Sequence, residues 1–262
     1  MMNTIRADIY RVVRGKALYI TFTLLIVLAL IEVLPPGSGA NVGVNTNIVN
    51  MNFSKVTVTG SVAAQLLLTV MDNLIYFLIP MFIAVVMAMF SSNAVKNSLS
   101  TGMSRVKLYF SKWILSSVLC VLLMLVYLLL GVLAAALVWG SGEWTGAYLL
   151  TILRAFGAQM VVLLALNSIG VFLSFAIRNT AAVIGVYIAF VLVPAVVGGI
   201  LSNSIASIAN YYSYDMTMCM KLFSYFESAS RTDIARGLTL AGCYIIVSTV
   251  AGITLFKRAE IK

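Results

Sequence analysis

Residues 113–139 (WILSSVLCVLLMLVYLLLGVLAAALVW) carry no charged side chain. As an α-helix this run reaches about 40 Å, against about 30 Å for the hydrocarbon core of a bilayer. No strand-based or soluble helical core needs an uncharged element of that length. The run therefore predicts a membrane span, and further runs like it predict a polytopic protein.

Composition agrees. Of the 262 residues 62% are hydrophobic and only 10% are charged, more apolar surface than a soluble domain of this size can bury. The formal charge of +9 is read as topology signal and not as nucleic-acid affinity, because cations flanking apolar spans set orientation. The chain has no histidine, which removes the usual proton shuttle and the commonest metal ligand. Cys120, Cys219 and Cys243 have neither zinc spacing nor a disulfide pattern. No catalytic set and no metal site are expected.

Apolar runs place six spans near 17–34, 66–90, 113–139, 147–177, 181–201 and 237–256, so the expected fold class is an all-α membrane protein in a single transmembrane domain. Pro80 and Pro194 fall inside spans, where each removes a backbone donor and is expected to kink its helix. With both termini in the cytoplasm, the inner side holds Arg6, Arg11, Arg14, Lys16, Lys96, Arg105, Lys107, Lys112, Arg178, Lys257, Arg258 and Lys262. The outer side holds Lys55, Lys221, Arg231 and Arg236. That asymmetry predicts a multi-pass cell-membrane protein with cytoplasmic termini. The first span follows a basic lead, but it is long for a signal peptide and is expected to stay as a helix. Residues 1–16 set Ile5, Ile9, Val12 and Val13 on one helical face and Arg6, Asp8, Arg11 and Arg14 on the other, which predicts an amphipathic helix on an anionic membrane surface. Outside, 35–65 reads as an irregular or partly β loop. Residues 202–236, too polar to span and rich in Met, Tyr and Phe, read as short extracellular helices dipping into the interface.

No P-loop is present: the one Gly-Lys pair, Gly15-Lys16, is followed by Ala17, and position 10 is tyrosine. The informative polar segment is the loop 91–112, with four cations and no acid. Its middle suits a short helix ending at Gly102, and Ser104 suits the N-cap of the next helix. Lys96-Asn97-Ser98-Leu99-Ser100-Thr101-Gly102-Met103-Ser104-Arg105, continuing to Ser111-Lys112, resembles the coupling-helix motif of type-2 ABC transporter permeases. The basic N-terminal helix, the six spans, the 202–236 segment and the ending Phe256-Lys257-Arg258-Ala259-Glu260-Ile261 resemble the same family, with Glu260 where an aspartate is usual.

The resemblance implies a permease subunit coupled to a separate ABC ATPase that binds ATP and Mg; six helices are few for a translocation path, so a second permease chain beside it, as homo- or heterodimer, is expected. It implies that Lys96, Ser98, Leu99, Gly102, Ser104, Arg105 and Lys107 contact the ATPase. A docking helix needs an apolar knob, here Leu99, and donors for polar groups in a groove. Within the group, the chain is similar to bacterial exporters of peptide toxins such as phenol-soluble modulins and to lantibiotic immunity permeases. An exporter of lipids or drugs, and a stand-alone secondary transporter, are the alternatives.

Charges inside spans require partners. Glu32, Asp72 and Arg154 all fall near the outer side, and an Arg154–carboxylate pair is expected, either locking the bundle or binding substrate. Asn73, Tyr76, Phe77 and Pro80 share one helical face, as a packing stripe or the lining of a pathway.

Overall fold

The computed structural model describes residues 2–33, 59–91, 95, 100, 102–204, 215–226 and 229–258. Their elements, in chain order, are α1 (Met2–Arg14), α2 (Lys16–Val33), α3 (Gly60–Thr69), a 3₁₀ turn (Met71–Asn73) and α4 (Leu74–Phe82). A π-helical segment (Ile83–Met87) and α5 (Ala88–Ser91) follow, then α6 (Arg105–Trp139), α7 (Gly146–Ile177), α8 (Thr180–Ser204), α9 (Met216–Ser224) and α10 (Arg231–Arg258). The protein is an all-α membrane protein. Six helical stretches are long and apolar enough to span: Lys16–Val33, Met71–Phe90, Arg105–Trp139, Gly146–Ile177, Thr180–Leu201 and Arg231–Arg258.

Local chemistry sets the boundaries. Ser104 caps α6 by accepting from the Lys107 amide at 3.4 Å, and Thr145 caps α7 by accepting from Tyr148 at 3.3 Å. Gly140 ends α6 at φ +92°, a conformation that penalises a side chain. The connection between α6 and α7 then caps α3: Gly60 and Ser61 donate their amides to the Gly140 and Ser141 carbonyls at 2.9 and 3.1 Å. Two departures from the expected spans follow from such contacts. The third span's helix runs from the Ser104 cap, so Lys112, expected in a polar loop, lies inside α6, buried in an ion pair. The second span is interrupted at Val70–Asn73, and just before the break Gln159 of α7 donates to the Leu68 carbonyl.

α7 is the central post. Val162, Leu163, Ala165, Leu166, Val171 and Phe175 are buried on several of its sides. α10 lies along much of it, and buries the small residues Gly237, Ala241, Ser248 and Gly252. Small residues let helices approach closely where lipid supplies no hydrophobic drive. A Cβ on Gly170 would sit 2.5 Å from Phe82, and one on Gly252 2.5 Å from the Tyr109 hydroxyl. Polar side chains pin α6 to α7: Ser116 donates to Asn167 at 2.5 Å and the Trp113 indole to Ser168 at 2.8 Å. α8 buries Val183, Tyr187 and Val191 on one face, while Val186, Val193, Val197 and Ile200 face outward, as lipid contact requires. Both proline-containing helices continue through Pro80 and Pro194. Just after Pro80 the winding loosens into the π segment.

Two ends result. At one, here the basic end, α2, α6 and α8 begin and α5, α7 and α10 finish. At the other lie the start of α3 and the connection from α6 to α7. α9 packs between α3, α7 and α10, nearer that second end.

Candidate functional site at the basic end and the helix break

At the basic end, the residue types expected to serve coupling divide into two groups. Lys96, Ser98 and Leu99 lie outside the described residues. Gly102 is exposed at φ +82° with no atom within 4 Å of where a Cβ would stand, so it serves the backbone turn and not packing. Ser104 is the N-cap of α6, and Lys107 is exposed one turn along. Arg105 is held intramolecularly: Nη1 donates to the Phe256 and Lys257 carbonyls at 3.0 and 2.9 Å, and the guanidinium lies 5.9 Å from the Phe256 ring centroid. Those carbonyls sit at the C-terminus of α10, where cations are favoured. Beneath them Phe175 meets Tyr109 and Phe256 at 4.8 Å each and Phe90 at 5.6 Å, joining α5, α6, α7 and α10.

A second arrangement there involves residues whose pairing the sequence did not announce. Asp8 of α1 is buried, and its Oδ2 lies 2.6 Å from the Nζ of Lys112, itself 2% exposed. Arg11 reaches Asp8 Oδ1 at 3.4 Å and donates to the Val85 carbonyl, in the π segment, at 3.3 Å. The face of α1 turned to the protein is therefore Asp8 and Val12, while Ile9 and Val13 face outward beside the exposed Arg6 and Arg14. Of the expected apolar face, Val12 packs inward while Ile9 and Val13 stay exposed. The polar face is split, and its carboxylate points inward.

The other polar cluster surrounds the break between α3 and α4. Gln159 of α7 donates through Nε2 to the Leu68 and Met220 carbonyls at 2.8 and 2.9 Å. Gln65 donates to the Ser224 carbonyl at 2.7 Å. Lys221 Nζ stands 3.7 Å from Asp72 Oδ2, Asn73 donates to Glu32 at 3.3 Å, and the Tyr127 hydroxyl also donates to Glu32. Backbone carbonyls left open by an interrupted span must find donors, because lipid offers none. Here α9 and the broken span share them. Burial on α9 pushes the Cys219 thiol up to about 11.

With this geometry in view, the match to known families decides the larger question: a family model described as "ABC-2 family transporter protein" fits residues 2–261. The chain belongs to the ABC-2 transporter family. No curated protein matches it. As an ABC-2 permease it is the membrane component of a transporter whose ATPase is a different subunit, and its multi-pass architecture follows from the six spans.

One expectation about this ABC-2 permease needs correction. Arg154 makes no carboxylate pair among the described residues: its side chain is exposed, while Asp72 pairs with Lys221 and Glu32 is held by Tyr127 and Asn73. The reason is helical phase. Arg154 lies on an outward face of α7, beside exposed Leu153, whereas Ile152, Ala155 and Gln159 face the bundle. The stripe Asn73, Tyr76, Phe77 and Pro80 does lie on the less buried side of its helix, with Tyr76 exposed. However, Asn73 is engaged by Glu32. Sequence reasoning missed Lys221, Tyr127, Gln65 and Gln159. The one glutamine in the 147–177 run was the available signal for the last.

Proposed function

We propose that this chain is the permease subunit of an ATP-driven exporter that moves amphipathic or antimicrobial peptides out of a bacterial cell, with both termini cytoplasmic and two permease chains side by side. In this reading the 91–112 loop, including Lys96, Ser98 and Leu99, seats in a groove of each ABC ATPase. ATP and Mg bind on that partner, and its closure drives the loop against the ends of α5 and α6. The observation that carries the proposal is the family match over nearly the whole chain, joined to a loop whose described exit is a positive-φ glycine, a capped helix start and the exposed cation Lys107. Peptide cargo is supported by the resemblance of the loop motif and by the interfacial, Met-rich character of α9. It is an inference from likeness.

The test is ATPase activity of the reconstituted permease–ATPase complex against a panel of amphipathic cationic peptides, lipids and drugs. Stimulation by peptides supports the reading, and stimulation by lipids or drugs alone transfers the export function to those cargoes. Lys107→Glu is the clean probe of docking, because Arg105 also holds the end of α10. If Lys107→Glu and Arg105→Glu combined leave ATP-driven transport intact, the loop is not the docking element.

A further inference from the structure

Arg154 is the charge that the fold leaves unexplained. It stands within the fourth span on an outward face of α7, and its side chain makes no hydrogen bond or ion pair with the described residues. Its neighbours on that side are the exposed Leu149, Leu150 and Leu153, and a Cβ on Gly157, three positions further in, would meet nothing within 4 Å. A guanidinium among leucines that face hydrocarbon requires an anion, because an unpaired charge in lipid is costly. Depth decides which anion. The connection 140–145 is polar and exposed, and Trp144 and Tyr148 meet edge-on, 6.0 Å between centroids, where α7 begins. Trp and Tyr concentrate at the level of lipid headgroups. Apolar exposure starts at Leu149, and Arg154 lies about 7.5 Å deeper along the axis. Side chains of an α-helix lean toward its N-terminus, which for α7 is the end at the headgroups. The lean carries the guanidinium back to headgroup level and leaves its methylene stem among the leucines. The described carboxylates nearby are taken: Glu32 and Asp72 inside the bundle, Asp215 as the cap of α9, Asp233 with Arg236.

We propose that Arg154 and the exposed leucines around it bind one anionic phospholipid in the leaflet opposite the basic end: the guanidinium takes the phosphate, and Leu150, Leu153 and the open flank at Gly157 take an acyl chain. Arginine suits a phosphate better than lysine does, because its planar fork offers two parallel N–H donors. Net negative charge on the lipid matters, since a zwitterionic headgroup brings its own cation to the same phosphate. The inference needs the six spans alone. It goes beyond the export reading and depends neither on how an ATPase docks nor on the cargo.

Two experiments on the complete permease, purified with its ATPase partner, test it. In the first, native mass spectrometry follows lipid retained from mixed micelles that hold equal amounts of phosphatidylglycerol and phosphatidylcholine. The unmodified chain is expected to keep phosphatidylglycerol in preference. Arg154→Gln should hold it about fivefold more weakly, the factor that corresponds to about 1 kcal/mol for a cation at an anionic membrane surface. Arg154→Lys should fall between the two, and Arg236→Gln, at a residue paired with Asp233, should match the unmodified chain. Equal retention of the two lipids by the unmodified chain overturns the proposal. So does undiminished phosphatidylglycerol on Arg154→Gln, or an equal loss on Arg236→Gln, which would make the attraction diffuse. The second experiment separates lipid from protein as the occupant. Cys120, Cys219 and Cys243 are replaced, and a spin label at Leu150→Cys is read for collisions with oxygen in proteoliposomes. Frequent collision, as for a lipid-facing site, is expected. Protection would show that a second permease chain or another protein covers this face, and overturns the proposal. The label leaves Arg154 in place, so this experiment decides even where Arg154→Gln fails to fold.

Discussion

Gln159 offers the sharpest quantitative test of how the broken span is held. Its amide donates to two carbonyls, Leu68 O and Met220 O, that belong to different elements, and the side chain is 1% exposed. Gln159→Leu keeps the volume and removes both donors. Figures from soluble proteins put each orphaned acceptor at about 1–3 kcal/mol, which for two would approach half the stability of an ordinary domain. The membrane figure is smaller, about 0.6 kcal/mol on average per interhelical bond and about 1.7 at most, because the unfolded chain in a membrane also finds partners. The membrane scale is the appropriate one here, so the loss should be about 1–3 kcal/mol in total. Gln65→Leu removes one donor, to Ser224 O, in a less buried setting, and should cost about half as much on the same scale. Both are measured by reversible denaturation of the purified permease in mixed micelles. The reasoning fails if Gln159→Leu costs no more than Gln65→Leu.

Other outcomes follow from single contacts. Gly252→Val should lower the melting temperature, because its Cβ would stand 2.5 Å from the Tyr109 hydroxyl and overpacking costs about 1–3 kcal/mol; Gly242→Ala, with nothing within 4 Å, should leave it unchanged. Arg105→Ala should raise amide exchange in the last turn of α10, read by mass spectrometry, since Phe256 and Lys257 lose their carbonyl donor. The Cys219 thiol, raised to about 11 by burial, should react slowly with iodoacetamide at pH 8 and faster as pH climbs toward 11, since only the thiolate is nucleophilic. Equal rates at pH 8 before and after unfolding would contradict that. Lys221→Met should leave Asp72 without its cation and destabilise the fold more than Arg154→Met, whose side chain is exposed; a larger loss at Arg154 would reverse the assignment.

The six spans were legible because lipid imposes one rule, length with little or no charge, and 113–139 and 181–201 obey it visibly. The N-cap at Ser104 was legible too, since its oxygen meets an amide three residues on whatever the tertiary context. What could not be read were pairings that depend on helical phase between distant elements. Lys112 looks like a loop cation until α1 brings Asp8 to it across 104 positions of chain. Asp72 and Arg154 both look outer-side and complementary, and only the outward phase of Arg154 on α7 separates them. The break at Val70–Asn73 had no proline or glycine to mark it, and the contact beside it, Gln159 on the Leu68 carbonyl, comes from a distant helix.

The two polar clusters also differ in kind, and the difference bears on how an ABC-2 permease of this size works. At the break, the donors are uncharged, the amides of Gln65 on α3, Gln159 on α7 and Asn73 and the Tyr127 hydroxyl, with one partly exposed ion pair, Lys221–Asp72 at 3.7 Å. Such bonds are individually weak, so elements there can exchange partners at modest cost. At the basic end a buried ion pair at 2.6 Å, an aromatic junction and two charged donors on carbonyls join α1, the π segment, α6 and α10. In the proposed docking reading, a pushing stroke delivered to the loop would meet stiff contacts first and compliant ones farther along the helices. Stiffness where force enters and compliance toward the far end is the order a transporter requires, since the reverse would dissipate the stroke before it reached the helices that must separate.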